Sequence, residues 1–174
     1  RSIVNILGQA IKTDLALSDV QLGLLSGIAF AVLYSTLGVP IARLAERHNR
    51  VVIIAVSLTL WSVFTALCGL ATSFVFLFIA RVGVGIGEAG CSPAAQSLIS
   101  DYYPPERRAT ALSVYSLGLP FGILFGALAG GWLAQSFGWR AAFAIVGLPG
   151  LLLALLAWLT VREPPRGRYD PEAL

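Results

Sequence analysis

Two residues in this chain could carry chemistry where charge is costly. Arg81 and Glu88 stand seven positions apart in Arg81-Val-Gly-Val-Gly-Ile-Gly-Glu88-Ala-Gly90, within a long apolar stretch. On a helix that spacing puts both on one face, about 10.5 Å apart along the axis. At hydrocarbon depth a charged side chain costs about 2.5–3.5 kcal/mol on insertion scales. The expected chemistry is a proton-titrating carboxylate, Glu88, beside a polar pathway, with Arg81 biasing its charge state or binding an anionic substrate. The competing reading is a structural ion pair with another helix. Gly83, Gly85 and Gly87 between them let either a neighbouring backbone or a substrate come close.

Enzyme chemistry finds no footing. The single histidine, His48, lies in a charged turn, so no histidine-rich metal site is expected. Gly85-Ile-Gly87-Glu-Ala-Gly90 matches a dinucleotide loop as text only, since no strand precedes it. Cys68 and Cys91 have neither metal-ligand nor disulfide spacing and read as small buried hydrophobes. No cofactor or metal is expected.

The elements that must position the pair follow from composition. Of 174 residues, 57% are hydrophobic and 12% charged, about half the charge of a soluble domain; mean hydropathy is +0.81. Val20–Ala42, Val51–Ala80, Ala109–Trp139 and Ala141–Val161 carry no charge. A membrane crossing takes about 20 apolar residues, so the expected class is an all-α, polytopic membrane bundle. Helices are expected over about 1–14, 19–45, 51–71, 74–102, 109–135 and 141–161, with a polar linker starting over 162–174. The first reads as the outer end of a helix whose beginning is missing, because the chain lacks a starting methionine and opens abruptly.

Local signals support these boundaries. Ser18-Asp-Val-Gln21 is a capping box. Gly23, Gly27, Ala31 and Ser35 form a small-residue stripe, as do Gly118, Gly122, Gly126 and Gly130 with Pro120 among them. In lipid such stripes read as packing seams. Trp132 and Trp139 are expected near one interface and Trp158 near the other. The turns at 43–50, 101–108 and 162–168 hold eight arginines. That bias, which also explains the net charge of +3 without nucleic acid, places them in the cytoplasm. The turns Asn49-Arg50-Val-Val-Ile and Gly138-Trp-Arg140-Ala-Ala could correspond in two inverted triplets of helices.

The turn Ala42-Arg-Leu-Ala-Glu46-Arg47-His-Asn49-Arg50 resembles the signature between helices 2 and 3 of the major facilitator superfamily, Gly-x-x-x-Asp-Arg-x-Gly-Arg-Lys/Arg. It departs at Ala42, Glu46 and Asn49, and Arg50 alone closes it. Arg81-x-x-x-Gly85-x-Gly87-Glu88-Ala looks like the helix-4 signature, and Gly118-x-Pro120-x-Gly122 with Gly130-Gly131 is similar to the helix-5 one. Asn49 and Gly-Glu-Ala look most like the Spinster-like branch. The likeness covers nearly the whole chain and corresponds to the N-terminal six-helix half of a twelve-helix transporter. It implies a cytoplasmic gate latch at Glu46, Arg47 and Arg50. In that branch an acidic residue of helix 1 faces the helix-4 arginine, at a position that would precede Arg1.

The expected function is secondary active transport of a small organic solute, proton-coupled, by alternating access around a midplane cavity. Glu88 and Arg81 would serve coupling or substrate, and Asn5, Gln9, Tyr34, Tyr115 and Ser116 would line the cavity. The expected partners are the lipid bilayer, a missing C-terminal half, the solute and protons, in a multi-pass protein of a bacterial inner membrane. A uniporter or lipid exporter without proton coupling, and a receptor or scaffold that does not transport, are the alternatives.

Overall fold

Polar caps decide where the helices begin. The computed structural model describes residues 3–169. After α1 (Ile3–Asp14), Ser18 opens α2 (Asp19–Ser26) through a reciprocal capping box: the Gln21 amide donates to Ser18 Oγ at 3.2 Å, and the Ser18 amide to Gln21 Oε1 at 2.9 Å. Asn49 caps α4 (Arg50–Cys68) through the Val52 amide, and Ser73 caps α5 (Phe74–Tyr102) through the Phe76 amide. Each satisfies a backbone donor that a helix start leaves without an internal acceptor.

Several boundaries differ from the sequence reading: α4 (Arg50–Cys68) stops short of 71, and the helix expected from 109 starts at Pro105. The helix expected over 19–45 is broken at Gly27, whose backbone is not helical, so that α3 (Ile28–Arg47) starts anew. A Cβ at Gly27 would meet the Gly23 carbonyl oxygen at 3.2 Å, closer than most side chains sit. The turn expected over 136–140 is compressed into one residue of α6 (Pro105–Thr160): Gly138, at φ 82° and ψ 162°. A side chain is disfavoured at that φ, and glycine permits it. α6 is therefore two arms, 105–137 and 139–160. Its 56 residues would reach about 84 Å if straight, far more than one crossing needs. Arg50–Cys68, Phe74–Tyr102 and Pro105–Thr160 are each long and apolar enough to span a membrane.

α4 is the element on which α5 and α6 pack, while α3 lies mainly against α5 and α1 against α6. α5 lies against one side of it and the 139–160 arm against another. Glycines make both approaches close. A Cβ at Gly87 would sit 2.6 Å from the Trp61 backbone nitrogen, and one at Gly83 or Gly90 would overlap Phe64 or Ser57. From the other side, a Cβ at Gly147 would sit 2.9 Å from the Ser62 carbonyl oxygen, and one at Gly150 would overlap Ser62. Lipid offers no hydrophobic gain for bringing helices together, so backbone proximity of this kind supplies the packing. The core cluster joins Val4, Leu7 and Ile11 of α1 to Leu77 and Val84 of α5 and to Trp139 and Phe143.

The seam expected along the 118–130 stripe is not used within the described residues. A Cβ at Gly118, Gly122 or Gly126 would meet nothing within 4 Å, and of the stripe only Gly130 is buried. Pro120 is exposed beside them. The reason is topological: the 139–160 arm, not the 105–137 arm, covers α4. Trp132 and Trp158 are exposed, whereas Trp139 is buried in the core cluster, with its indole donating to Asp14.

Candidate functional site

The α5 backbone sorts its residues by face. Arg81 and Glu88 fall within about 20° of each other around the helix, while Gly83, Gly87 and Gly90 lie roughly 180–240° away. The glycines press on α4, so the charged pair is turned away from it. Arg81 is buried and Glu88 half-buried, and both interact with their surroundings. The arrangement holds an acidic and a cationic side chain on the face of a spanning helix opposite the glycines, with Arg81 still near enough to Cys68 at the end of α4 to act on it electrostatically.

The other expected lining residues are not drawn together around this pair by any described contact. Gln9 is exposed on α1. Tyr115 and Ser116 are exposed on the 105–137 arm, and the Ser116 hydroxyl donates to the Leu112 carbonyl of its own helix at 2.8 Å. The side chains of Asn5 and Tyr34 lie outside the described residues. An apolar groove of about 450 Å³ runs between α4 and the 139–160 arm, bounded by residues such as Val52, Val56, Leu151 and Trp158, and no charged residue lines it.

The densest polar chemistry lies at the arginine-rich end. Arg50 is 1% exposed. Its guanidinium donates to Asp101 Oδ2 at 2.5 Å, to Glu163 Oε1 at 2.6 Å, and to the Ser97 carbonyl and hydroxyl at 3.1 and 3.0 Å. The second Glu163 oxygen accepts from the Arg50 amide at 2.8 Å and the Val51 amide at 3.3 Å, so the carboxylate also caps α4. An anion is favoured at a helix start, where amides point outward. The segment after α6 is strapped across the same end. The Gly167 amide donates to Asp101 Oδ1, the Tyr102 hydroxyl donates to the Arg162 carbonyl, and Arg166 donates to the carbonyls of Ala45, Glu46 and His48 at the end of α3. A cation there satisfies carbonyls that a helix end leaves open.

Within the expected gate turn the buried member is Arg50, and its carboxylates are Asp101 and Glu163. Glu46 and Arg47 are exposed, and neither pairs with Arg50 among the described residues. α4 starts at Arg50 and turns its side chain toward the ends of α5 and α6, whereas Glu46 closes α3 on the solvent side. Asp101, Glu163, Arg166 and Ser97 escaped the sequence reading. The available signal was an acidic residue closing an apolar run on the arginine-rich side.

A second polar cluster sits at the opposite end. Arg140 is ion-paired with Asp14, which also accepts from the Trp139 indole at 3.2 Å. The same guanidinium donates to the Ala71 carbonyl at 3.0 Å and lies 4.3 Å from the Trp139 ring centre. Lys12 and Asp19 are paired at 2.5 Å beside it.

The description of the Major Facilitator Superfamily matches residues 1–174. An "MFS-type efflux pump" of Mycolicibacterium smegmatis is 40% identical over 92% of this chain and 38% of its own length. A probable galactarate/D-glucarate transporter of Bacillus subtilis is 33% identical over 95% of this chain and 38% of its own. The crystal structure of a bacterial homolog to the human lysosomal transporter Spinster, inward-facing and occupied, superposes at a TM-score of 0.82 with 44% identity. That match covers 98% of this chain and 42% of the other. The chain thus spans about two-fifths of the length of these relatives.

Proposed function

Because the chain belongs to the major facilitator superfamily, a family of membrane transporters, we propose that it forms the N-terminal six-helix half of a proton-coupled secondary transporter. Its cargo is a small organic solute, moved by alternating access against a second half outside this chain. The observation that carries this reading is the Arg81–Glu88 face of α5, turned away from α4 within a spanning helix. Charges at that depth persist where they line a pathway. Glu88 is the proton-carrying group, and Arg81 offers a cation to an anionic solute such as the sugar acids named for the Bacillus relative. The unpacked Gly118–Gly126 stripe is the surface on which the second half would ride. The arginine-rich end faces the cytoplasm of a bacterial inner membrane.

The test uses the full-length protein in liposomes loaded with a pH-sensitive dye, under an inward proton gradient, with galactarate or glucuronate outside. Solute-dependent acidification is expected for the wild type and lost in Glu88→Gln. Acidification that Glu88→Gln leaves intact removes the carboxylate from coupling. Likeness to spinster proteins, one of them named a probable sphingolipid transporter, favours one second reading, a uniporter or lipid exporter without proton coupling. Export that persists after the gradient is collapsed with an ionophore selects it.

A further inference from the structure

The two arginine clusters are related by more than resemblance. Counted as the crossings of the proposed six-helix half, on which this inference rests, the described residues hold two triplets: α1, the broken α2–α3 and α4; then α5 and the two arms of α6. Arg50 opens the third crossing of the first triplet, and Arg140 opens the third crossing of the second, at the opposite face. Arg50 takes a carboxylate from Asp101, at the end of the first crossing of the second triplet. Arg140 takes one from Asp14, at the end of the first crossing of the first. Arg50 also donates to the Pro164 carbonyl, just past the end of the second triplet. Arg140 donates to the Ala71 carbonyl, just past the end of the first. Each triplet therefore supplies an arginine to the other and receives one, through the same kinds of group at corresponding positions.

The inverted relation of the triplets is general to halves of this family; we propose that Asp14, Arg140 and the Ala71 carbonyl form a releasable clamp on the end of α1. Release is the role that separates the two. The Arg50 side chain is 2% exposed and held by two carboxylates under a strap, whereas Arg140 is 42% exposed and Asp14 44% exposed. Water and salt compete for an exposed pair and not for a buried one. Ala16, at φ 50°, is the left-handed residue of the turn that caps α1, where the Leu17 amide donates to the Lys12 carbonyl at 2.9 Å, so the end that Asp14 anchors is locally defined. Arg140 acts as a positioning residue: it sets where α1 ends relative to α4 and the 139–160 arm.

The experiment measures spin-label distances in the full-length protein in lipid nanodiscs, with Cys68 and Cys91 replaced by alanine. Labels at 13 and 72 report the clamp, and labels at 43 and 106 report the arginine-rich face; all four residues are exposed. Arg140→Gln and Asp14→Asn are expected to broaden the 13–72 distribution and leave 43–106 as in the wild type. Arg140→Lys, which keeps the charge and loses the two-pronged contact, broadens it less and serves where the glutamine variant does not fold. The exchange Asp14→Arg with Arg140→Asp gives a narrower distribution than either single variant. In the wild type, 1 M salt broadens 13–72 alone. Three results overturn the proposal: a 13–72 distribution unchanged by the variants or by salt, equal broadening at both faces, or no narrowing in the exchange.

Discussion

Two arginines close the two ends of this bundle, and what separates them is water. Both open a crossing, both reach a carboxylate on another helix, and both donate to a backbone carbonyl. Arg50 does so in a sealed site with every neighbour committed to it. Arg140 does so at a surface, with an aromatic ring on one side and solvent on the other. Contacts of the same kind therefore do not mean equal consequences. A buried charge is costly to abandon, and an exposed one is replaced by solvent.

The largest expected effect comes from breaking the sealed partner. Arg50→Ala leaves Asp101 and Glu163 facing each other with no cation between them, and should cost about 3–5 kcal/mol. Thermal unfolding of the full-length protein in detergent would read this as a fall in Tm, and a loss below about 1 kcal/mol would show that the site is wet. Next in size is Asp101→Asn, which keeps the shape but weakens a charge-assisted bond; a loss of about 1.5–3 kcal/mol is expected by the same measurement. The smallest effect belongs to the other end. Arg140→Gln should cost about 0.2–1 kcal/mol, and that difference should shrink at 1 M salt, where the screening length falls to about 3 Å. Should Arg140→Gln and Arg50→Ala lower Tm alike, the contrast in burial would not govern them.

The sequence carried the crossings well because apolar length and caps are local properties. The Ser18–Gln21 box is readable from four residues, and its bonds form between those residues. The break at Gly27 was not legible, since a glycine in a small-residue stripe looks the same whether it packs or interrupts. The seams were misplaced for a related reason. Gly118, Gly122 and Gly126 have a cleaner spacing than Gly147 and Gly150, yet the latter meet α4 and the former meet nothing described. Spacing on one helix says that a close approach is possible, and only the route of the chain says which helix arrives. Arg81 and Glu88 were legible because a charge in an apolar run stands out alone. Asp101 and Glu163 sat among other charges at helix ends, and their pairing to Arg50 exists only once three distant segments meet.

The strap after α6 has a mechanical consequence. Glu163 is fixed to the start of α4, Gly167 to the end of α5, and Arg166 to the end of α3. A load on residues 163–167 is therefore shared by the ends of three helices, and the floor of the bundle takes it as one piece, not as the fraying of one helix.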